Sequence, residues 1–428
     1  MEYLSSDRIA VIDLAAAEVS EDELPEELVQ EKIGGAAIAK ALYEEHADGD
    51  PIILGSGLLT GTMVPGSALG LISAKSPLTG QLCHAPLTLY AGMELKYSGY
   101  DYMVIKGAAA EPTCLWIHDG ITDFNPGGEY WGKDVWQAKD QLCSAMGDDL
   151  IQVLGAGPAA ERGSDLAQVM MGYWSSGDRF GLGRVLAAKN LKLIAVRGMG
   201  LLEIAEPEEF MEKCLELLGQ VKGGSWAGKQ GLGELGQALG YEGFADWLQP
   251  VVHRNRAGFN TPYAYNSFAM LDGDPAQMTE SENPEPGVLL TDPAAAGSFR
   301  RLGLSVQDAC RAVQACNKQG LDPVAVAAAC EKAGAGDLAA VEAALAEVSG
   351  PVEDLSGPFS PWAPQGLAAD QAAWQRRQAV AYIFGIDPIF ALMAPEISEE
   401  VLLELANLGT DMEFSAETLD QAVEFITS

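Results

Sequence analysis

Seven cysteines and four histidines are the side chains best suited to ligate a metal or act as nucleophiles, and their spacing argues against both roles. Cys83, Cys114, Cys143, Cys214, Cys310, Cys316 and Cys330 are odd in number and scattered, with no C-x-x-C. That pattern fits neither a disulfide framework nor a local zinc motif. His46, His84, His118 and His253 form no H-x-x-x-H pair. Cys83 and His84 are adjacent, but neighbouring side chains on a strand leave on opposite faces, so a structural histidine is favoured over a Cys/His nucleophile pair. The basic spot His253-Arg254-Asn255-Arg256 could hold a carboxylate or phosphate, yet pairing with nearby acids is the simpler account. Cys310, Cys316 and Cys330 lie in Ala-rich helical stretches and read as small apolar packing. The eight tryptophans share no spacing and read as core or interface.

Charge narrows the partners. Lys+Arg 26 against Asp+Glu 61 gives a net charge of −35 over 428 residues, with a pI near 4.3. A field of that sign repels phosphate backbones and anionic lipid surfaces, so neither nucleic acid nor membrane is expected as a partner. Hydrophobic residues make up 48% and mean hydropathy is +0.05, too apolar for a disordered acidic chain. No apolar run reaches the roughly 20 residues of a membrane span. The opening MEYLSSDRIAVIDL lacks a basic segment followed by an apolar one, so no secretory signal is read. The expectation is a reduced, cytoplasmic, metal-poor protein.

These residues must be positioned by two differently built halves. Residues 1–205 read as strands and turns: apolar runs at Arg8–Leu14, Ile52–Leu54, Gly70–Ala74, Tyr102–Lys106, Cys114–His118, Ile151–Leu154 and Lys192–Arg197 are punctuated by Gly, Pro and Ser. Asp119-Gly120 predicts a tight hairpin turn. Helices are predicted around Pro25–His46, over Lys133–Met146 and around Arg184–Asn190. From 206 onward helical spacing dominates, with Phe210, Cys214, Leu217 and Leu218 on one side of the first helix. Asp272–Pro293 reads as a loop and Gly223–Gly243 shows no clear period. Helices then resume at Ser305–Gln319, Pro323–Ala333, Asp337–Val348, Asp370–Tyr382, Ser398–Leu408 and Ala416–Ile426. Ser398 and Ser415 read as N-caps, and the acidic runs Ser20–Glu27 and Glu396–Glu400 as solvated helix starts. The predicted fold class is α+β: an N-terminal domain rich in mixed β-sheet (1–205) followed by an all-helical C-terminal region (206–428).

An ordered series of short segments runs through residues 7 to 200. It includes Arg8-Ile9-Ala10-Val11-Ile12-Asp13-Leu14, Gly34-Gly35, Leu59-Thr60-Gly61-Thr62, Pro65-Gly66-Ser67 and Lys75-Ser76-Pro77-Leu78-Thr79-Gly80. It continues through Ser98-Gly99-Tyr100-Asp101, Trp131-Gly132-Lys133-Asp134, Gly155-Ala156-Gly157-Pro158 and Gly181-Leu182-Gly183 to Val196-Arg197-Gly198. Each is common alone; together and in order they resemble the aldehyde:ferredoxin oxidoreductase family of tungsten or molybdenum pterin enzymes. The resemblance implies a base of two mixed sheets covered by two helical domains. It also implies a metal held by two pterin dithiolenes between them, beside a 4Fe-4S cluster.

Residue by residue, the resemblance also implies departures. The family's early cluster cysteines fall in Val252–Met270, which contains none, and its late cysteine falls on Asp387. An iron–sulfur cluster requires thiolates, so a family-type 4Fe-4S cluster is not expected. The two pterin-binding D-x-x-G-L motifs align with Arg300 to Leu304 and Tyr382 to Ile386, keeping Gly303 and Gly385 but replacing the aspartates. A family arginine falls on Leu69, a Gly-Gly-Arg-Gly turn on Gly34-Gly35-Ala36-Ala37, and a magnesium-binding carbonyl on Pro86 within His84-Ala85-Pro86. Arg179-Phe180-Gly181-Leu182-Gly183 survives, with Phe180 at the second magnesium carbonyl; its glycines either approach a phosphate or pack the sheet. The family-equivalent cofactor positions are therefore Arg179, Phe180, Gly181, Gly183, Pro86, Gly303 and Gly385.

Three functions follow as expectations. The first is a cofactor-poor paralogue acting as a non-catalytic or assembly subunit, paired with a second copy or a catalytic paralogue. The second is a tungsten or molybdenum pterin enzyme with magnesium, oxidising aldehydes and passing electrons to ferredoxin or another iron–sulfur protein. The third is a carrier of a pterin or other small ligand. Whether the chain is an enzyme is left open between them.

Overall fold

The computed structural model describes residues 3–272, 287–348, 355, 357–360 and 366–428. The first sheet has the order β2-β1-β6-β3-β4-β5, with β1 Arg8–Asp13, β2 Glu18–Glu23, β3 Ile52–Ser56, β4 Gly70–Lys75, β5 Leu82–Leu87 and β6 Tyr102–Lys106. β1 and β6 pair in parallel and the other neighbours antiparallel. Residues 9–12 and 102–105 are buried throughout, the continuous apolar run expected of strands covered on both faces. At one edge, β2 (EVSEDE) is almost wholly exposed, and its carboxylates keep the open edge soluble. This corrects the helix start expected over Ser20–Glu27: pairing with β1 satisfies the backbone there, and the helix begins only at Glu26. The predicted helix over Pro25–His46 is two, Glu26–Lys32 and Gly35–Glu45, broken where Ile33 and Gly35 take positive φ (64° and 53°).

At the other edge, His84-Ala85-Pro86 lies within β5. Proline is tolerated in β5 because an edge strand need not donate on its outer side. That outer side is partly covered: His84 N donates to Pro358 O (2.6 Å), and Ser360 N donates to His84 O (3.3 Å).

The second sheet has the order β11-β10-β9-β12-β7-β8, with β7 Thr113–His118, β8 Ile121–Pro126, β9 Gln152–Ala156, β10 Val169–Met171, β11 Trp174–Ser175 and β12 Leu191–Arg197. Its parallel pair is β12 with β7. Asp119 (φ 44°) and Gly120 (φ 77°) make the predicted hairpin turn between β7 and β8, where a primed turn requires two positive φ values.

Beyond residue 206 the chain is mostly helical, but the all-helical expectation needs one amendment. An antiparallel sheet is formed by β13 Val252–Arg256, β14 Asn266–Met270 and β15 Gly287–Leu290. β13 and β14 were hidden by their polar residues, and β15 lies inside the stretch read as a loop, of which 273–286 falls outside the described residues. Helix Gly231–Ala238 likewise forms where no period was legible. Ser398 and Ser415 cap as predicted, accepting from Val401 N and Thr418 N.

Three further helices start at Asp-Pro pairs: Pro293–Arg301, Pro323–Ala333 and Pro388–Met393. The proline has no N–H to lose at the first helical position, and the aspartate accepts the next free amides. The carboxylates of Asp292, Asp322 and Asp387 are thereby fixed at the interface between sheets and helices. A single apolar core runs from the first sheet through that interface into the helices; a smaller one, around Cys114, Leu142 and Val153, lies under helix Val135–Met146.

Candidate functional site: a closed seam between sheets and helices

The seam is made by backbone approaching backbone. A Cβ added to Gly35 would lie 1.8 Å from Tyr382 O, and one on Gly57 would lie 2.0 Å from Gly385 N. Both loops therefore press on the end of helix Gln371–Phe384. Its last carbonyls, which have no partner within the helix, are taken by Leu58 N on Ile383 O (3.2 Å) and Leu59 N on Phe384 O (2.8 Å). Gly385 ends the helix in the left-handed region (φ 87°), and Leu69 N donates to its carbonyl (3.0 Å). Leu69 is fully buried, and its own carbonyl accepts from Thr60 Oγ1 (2.6 Å).

Asp387 follows directly. Its Oδ1 accepts from Ile389 N (2.9 Å) and Phe390 N (3.3 Å), and its Oδ2 accepts from Tyr265 Oη (2.7 Å). The Tyr265 ring stacks on Phe390 with centroids 6.1 Å apart and planes 22° apart. Burial pushes the Asp387 carboxyl up, opposed by the Tyr265 hydroxyl and the two amides. The stretch Val252–Met270 and residue 387 thus meet through a hydroxyl–carboxylate bond and an aromatic stack.

A second cluster surrounds Arg179. Asp178 is fully buried: its Oδ1 accepts from Phe180 N (2.8 Å) and its Oδ2 from Val169 N (3.1 Å) and Leu182 N (2.9 Å). Burial still raises this carboxyl to about 7, against the pull of the three amides. The loop wrapped on Asp178 carries Arg179 to an ion pair with Asp292. Asp322 lies beside them, raised by burial and pulled back by Arg179. Asp322 Oδ2 and Asn317 Oδ1 have no protein partner and border a cavity of about 20 Å³, room for a single water.

The sequence-derived positions fall as follows. Arg179, Phe180, Gly181 and Gly183 share the Asp178 loop. Phe180 O accepts from Ser76 Oγ (2.7 Å), and Cβ atoms on Gly181 and Gly183 would lie 2.4 Å from Asp165 O and 2.3 Å from Gln168 O. These glycines permit close chain packing. Pro86 faces the same loop, its ring 3.9 Å from where a Cβ on Gly177 would be. Gly385 belongs to the seam. Gly303 ends helix Pro293–Arg301 at φ 86° with nothing within 4 Å of an added Cβ, apart from the packed positions. The sequence reading missed Tyr265, Asp178, Asp322 and Asn317. Asp178 and Asp322 had a signal, an aspartate opening a glycine-rich turn and an Asp-Pro helix start; Tyr265 and Asn317 had none.

All seven cysteines are buried and free, and burial pushes the thiols of Cys83, Cys114, Cys214 and Cys310 up to about 12. Among the described residues, no three His, Cys, Asp or Glu side chains are grouped to hold a metal ion. No helix among them is long and apolar enough to cross a membrane.

Two mixed six-stranded sheets with a mostly helical remainder define an α+β scaffold that is also seen in a solved structure. The active site complex BamBC of benzoyl coenzyme A reductase with 1,5-dienoyl-CoA superposes with a TM-score of 0.78, covering 99% of this chain and 88% of that one at 16% identity. Residues 9–198 match the family described as aldehyde ferredoxin oxidoreductase, N-terminal domain. The tungsten-containing aldehyde ferredoxin oxidoreductase of Pyrococcus abyssi is 34% identical over 54% of this chain and 39% of its own length. That of Pyrococcus furiosus is 31% identical over 60% and 44%. The aliphatic sulfonate oxidoreductase WOR-like subunit of Pyrococcus furiosus is 26% identical over 59% and 45%. Residues 9–198 are thus similar to the N-terminal domain of the aldehyde ferredoxin oxidoreductase family, and the chain's matches span less than half the length of these relatives.

Proposed function

We propose that this chain is a non-catalytic or assembly subunit of its family, with residues 1–205 as the base and 206–428 as the cover. The Tyr265–Asp387 joint carries the reading. Where the family resemblance would set cluster thiolates, a phenol, a carboxylate and a phenyl ring close the space. The residues present do not fit the family's cofactors. An iron–sulfur cluster needs several thiolates gathered together, and among the described residues no three His, Cys, Asp or Glu side chains are so grouped. The cavity beside Arg179, about 20 Å³, is far below the several hundred Å³ of an organic cofactor site. A subunit role is further supported by the WOR-like subunit among the relatives and the BamBC complex among the folds; the partner in this reading is a second copy or a catalytic paralogue.

The relatives named as tungsten-containing favour a second reading, an aldehyde-oxidising tungsten or molybdenum pterin enzyme delivering electrons to an iron–sulfur protein. Tungsten, molybdenum and iron measured by plasma mass spectrometry on natively purified protein, with a visible spectrum, decide between them. The subunit reading expects colourless protein with all three far below one per chain. Stoichiometric tungsten or molybdenum would overturn it.

A further inference from the structure

Most large apolar side chains here are buried, but Met199 and Leu201 are 77% and 92% exposed, in the segment that joins β12 to helix Pro207–Lys222. They are held outward by the backbone. Gly198 N donates to Glu94 Oε2 (2.7 Å), Met199 N to Asp119 Oδ1 (3.1 Å) and Gly200 N to Tyr97 O (2.9 Å). Cβ atoms on Gly198 and Gly200 would lie 2.2 Å from Tyr97 C and 2.8 Å from Tyr97 O, so the two glycines let the segment lie flat on that chain. A segment fastened amide by amide does not turn its side chains inward. Only a covering from outside removes this apolar area from water.

Leu201 also walls a cavity of about 510 Å³ together with Met63, Tyr97, Leu202, Ile204 and Phe259. Met63 is itself 46% exposed, and its carbonyl accepts from Asn260 Nδ2, which ties the opposite wall in place. None of the residues lining this groove is charged, in a chain where 20% of residues are. A centre depleted of charge and rich in Met and aromatic rings is the composition of a contact surface. The flanks are acidic. Asp119, which holds Met199, is exposed, as are Glu203, Glu206, Glu208 and Glu209 along the chain on either side of Ile204. Nearby cations are already engaged: Arg197 pairs with Glu94 and Asp148, and Arg256 lies over the Tyr90 ring.

We propose that this groove is the docking face for a different protein chain, one that sets an apolar side chain into the groove and carries Lys or Arg around it. The sign of the flanks chooses the partner. A second copy brings acid against acid, with −35 on each molecule, whereas a basic rim is drawn in and held. The proposal rests on the subunit reading for there being a partner, and of that reading's two partners it selects the one that is not a second copy.

The test is fluorescence anisotropy of the full chain with a labelled amphipathic peptide of about 20 residues, leucine on one helical face and lysine on the other, beside a twin with glutamate in place of lysine. The lysine peptide should bind at micromolar concentrations, at least about tenfold tighter than the twin. L201E should weaken it about tenfold or more, although the added negative charge would strengthen a purely electrostatic attraction. Leu201 is so exposed that this change leaves the packing of the fold untouched. E203Q combined with E208Q and E209Q should weaken binding about threefold and flatten its dependence on salt. Equal or tighter binding by L201E, or equal binding of the twin, would overturn the proposal. So would a dimer in sedimentation velocity that L201E dissociates, because a second copy would then be the occupant. Metal content tests the subunit reading alone. Metal-loaded protein that passes the peptide test overturns that reading and keeps this face; metal-free protein that fails it does the reverse.

Discussion

Removing one oxygen from Tyr265 probes whether the seam is a packed joint that the fold depends on. Tyr265→Phe keeps the ring, hence the stack on Phe390, and opens no cavity of consequence. What it deletes is the 2.7 Å bond to Asp387 Oδ2. Both groups are buried, and the two backbone amides that donate to Asp387 go to Oδ1. Oδ2 is then left without a donor. A hydrogen bond to a charged group contributes about 1.5–3 kcal/mol, so a loss of about 2 kcal/mol is expected.

The pH dependence sharpens the test. Burial pushes the Asp387 carboxyl up and the Tyr265 hydroxyl pulls it back, so the substitution raises it further. A carboxyl raised in the folded state costs stability above its unfolded pKa, increasingly until the folded pKa is passed. The deficit of the variant should therefore be larger at pH 8 than at pH 5. Urea unfolding at both values measures it. Asp387→Asn is the control: its amide keeps an oxygen for the two backbone N–H groups and offers an N–H to the Tyr265 oxygen, so its loss should be smaller, and because wild-type stability falls as pH rises past a raised carboxyl, that loss should shrink rather than grow toward pH 8. A Tyr265→Phe deficit under about 0.5 kcal/mol, or one that shrinks as pH rises, would refute the reasoning.

Three other perturbations follow from the same geometry. Gly35→Ala drives a methyl into Tyr382 O at a positive φ, and thermal and urea unfolding should register a loss of about 3 kcal/mol or more. Asp178, raised to about 7, makes wild-type stability fall as pH rises from about 4 to 7, by up to about 1.4 kcal/mol per unit. Asp178→Asn should flatten that slope in a series of urea midpoints. Asp101 is the opposite case: burial alone would raise it, but Lys96 at 2.9 Å and the hydroxyls of Ser5 and Ser6 hold it below the usual carboxylate range. Its contribution is present above the unfolded pKa and lost as pH falls through the folded one. Asp101→Asn should cost about 3–5 kcal/mol at neutral pH, with the gap to wild type closing in acid.

The sequence alone determined those features whose cause is local. The buried runs of β1 and β6, the Asp-Gly hairpin and the serine caps of the last two helices were legible because alternation, turn chemistry and capping act within a few residues. What only the tertiary structure decided were meetings between residues far apart in the chain. Tyr265 has no sequence signal and acquires a role solely because the fold sets it against Asp387, 122 residues later. Asp292-Pro293, Asp322-Pro323 and Asp387-Pro388 each open a helix, whereas Asp50-Pro51 leads into β3; that the first two converge on Arg179 follows from how the helices dock on the second sheet. Gly35 and Gly57 are close contacts with helix Gln371–Phe384 and its glycine cap, which nothing in their local sequence announces. The physical reason is common to all of these. Packing and burial depend on partners brought in by long-range folding, whereas propensity and capping depend on the next turn of chain.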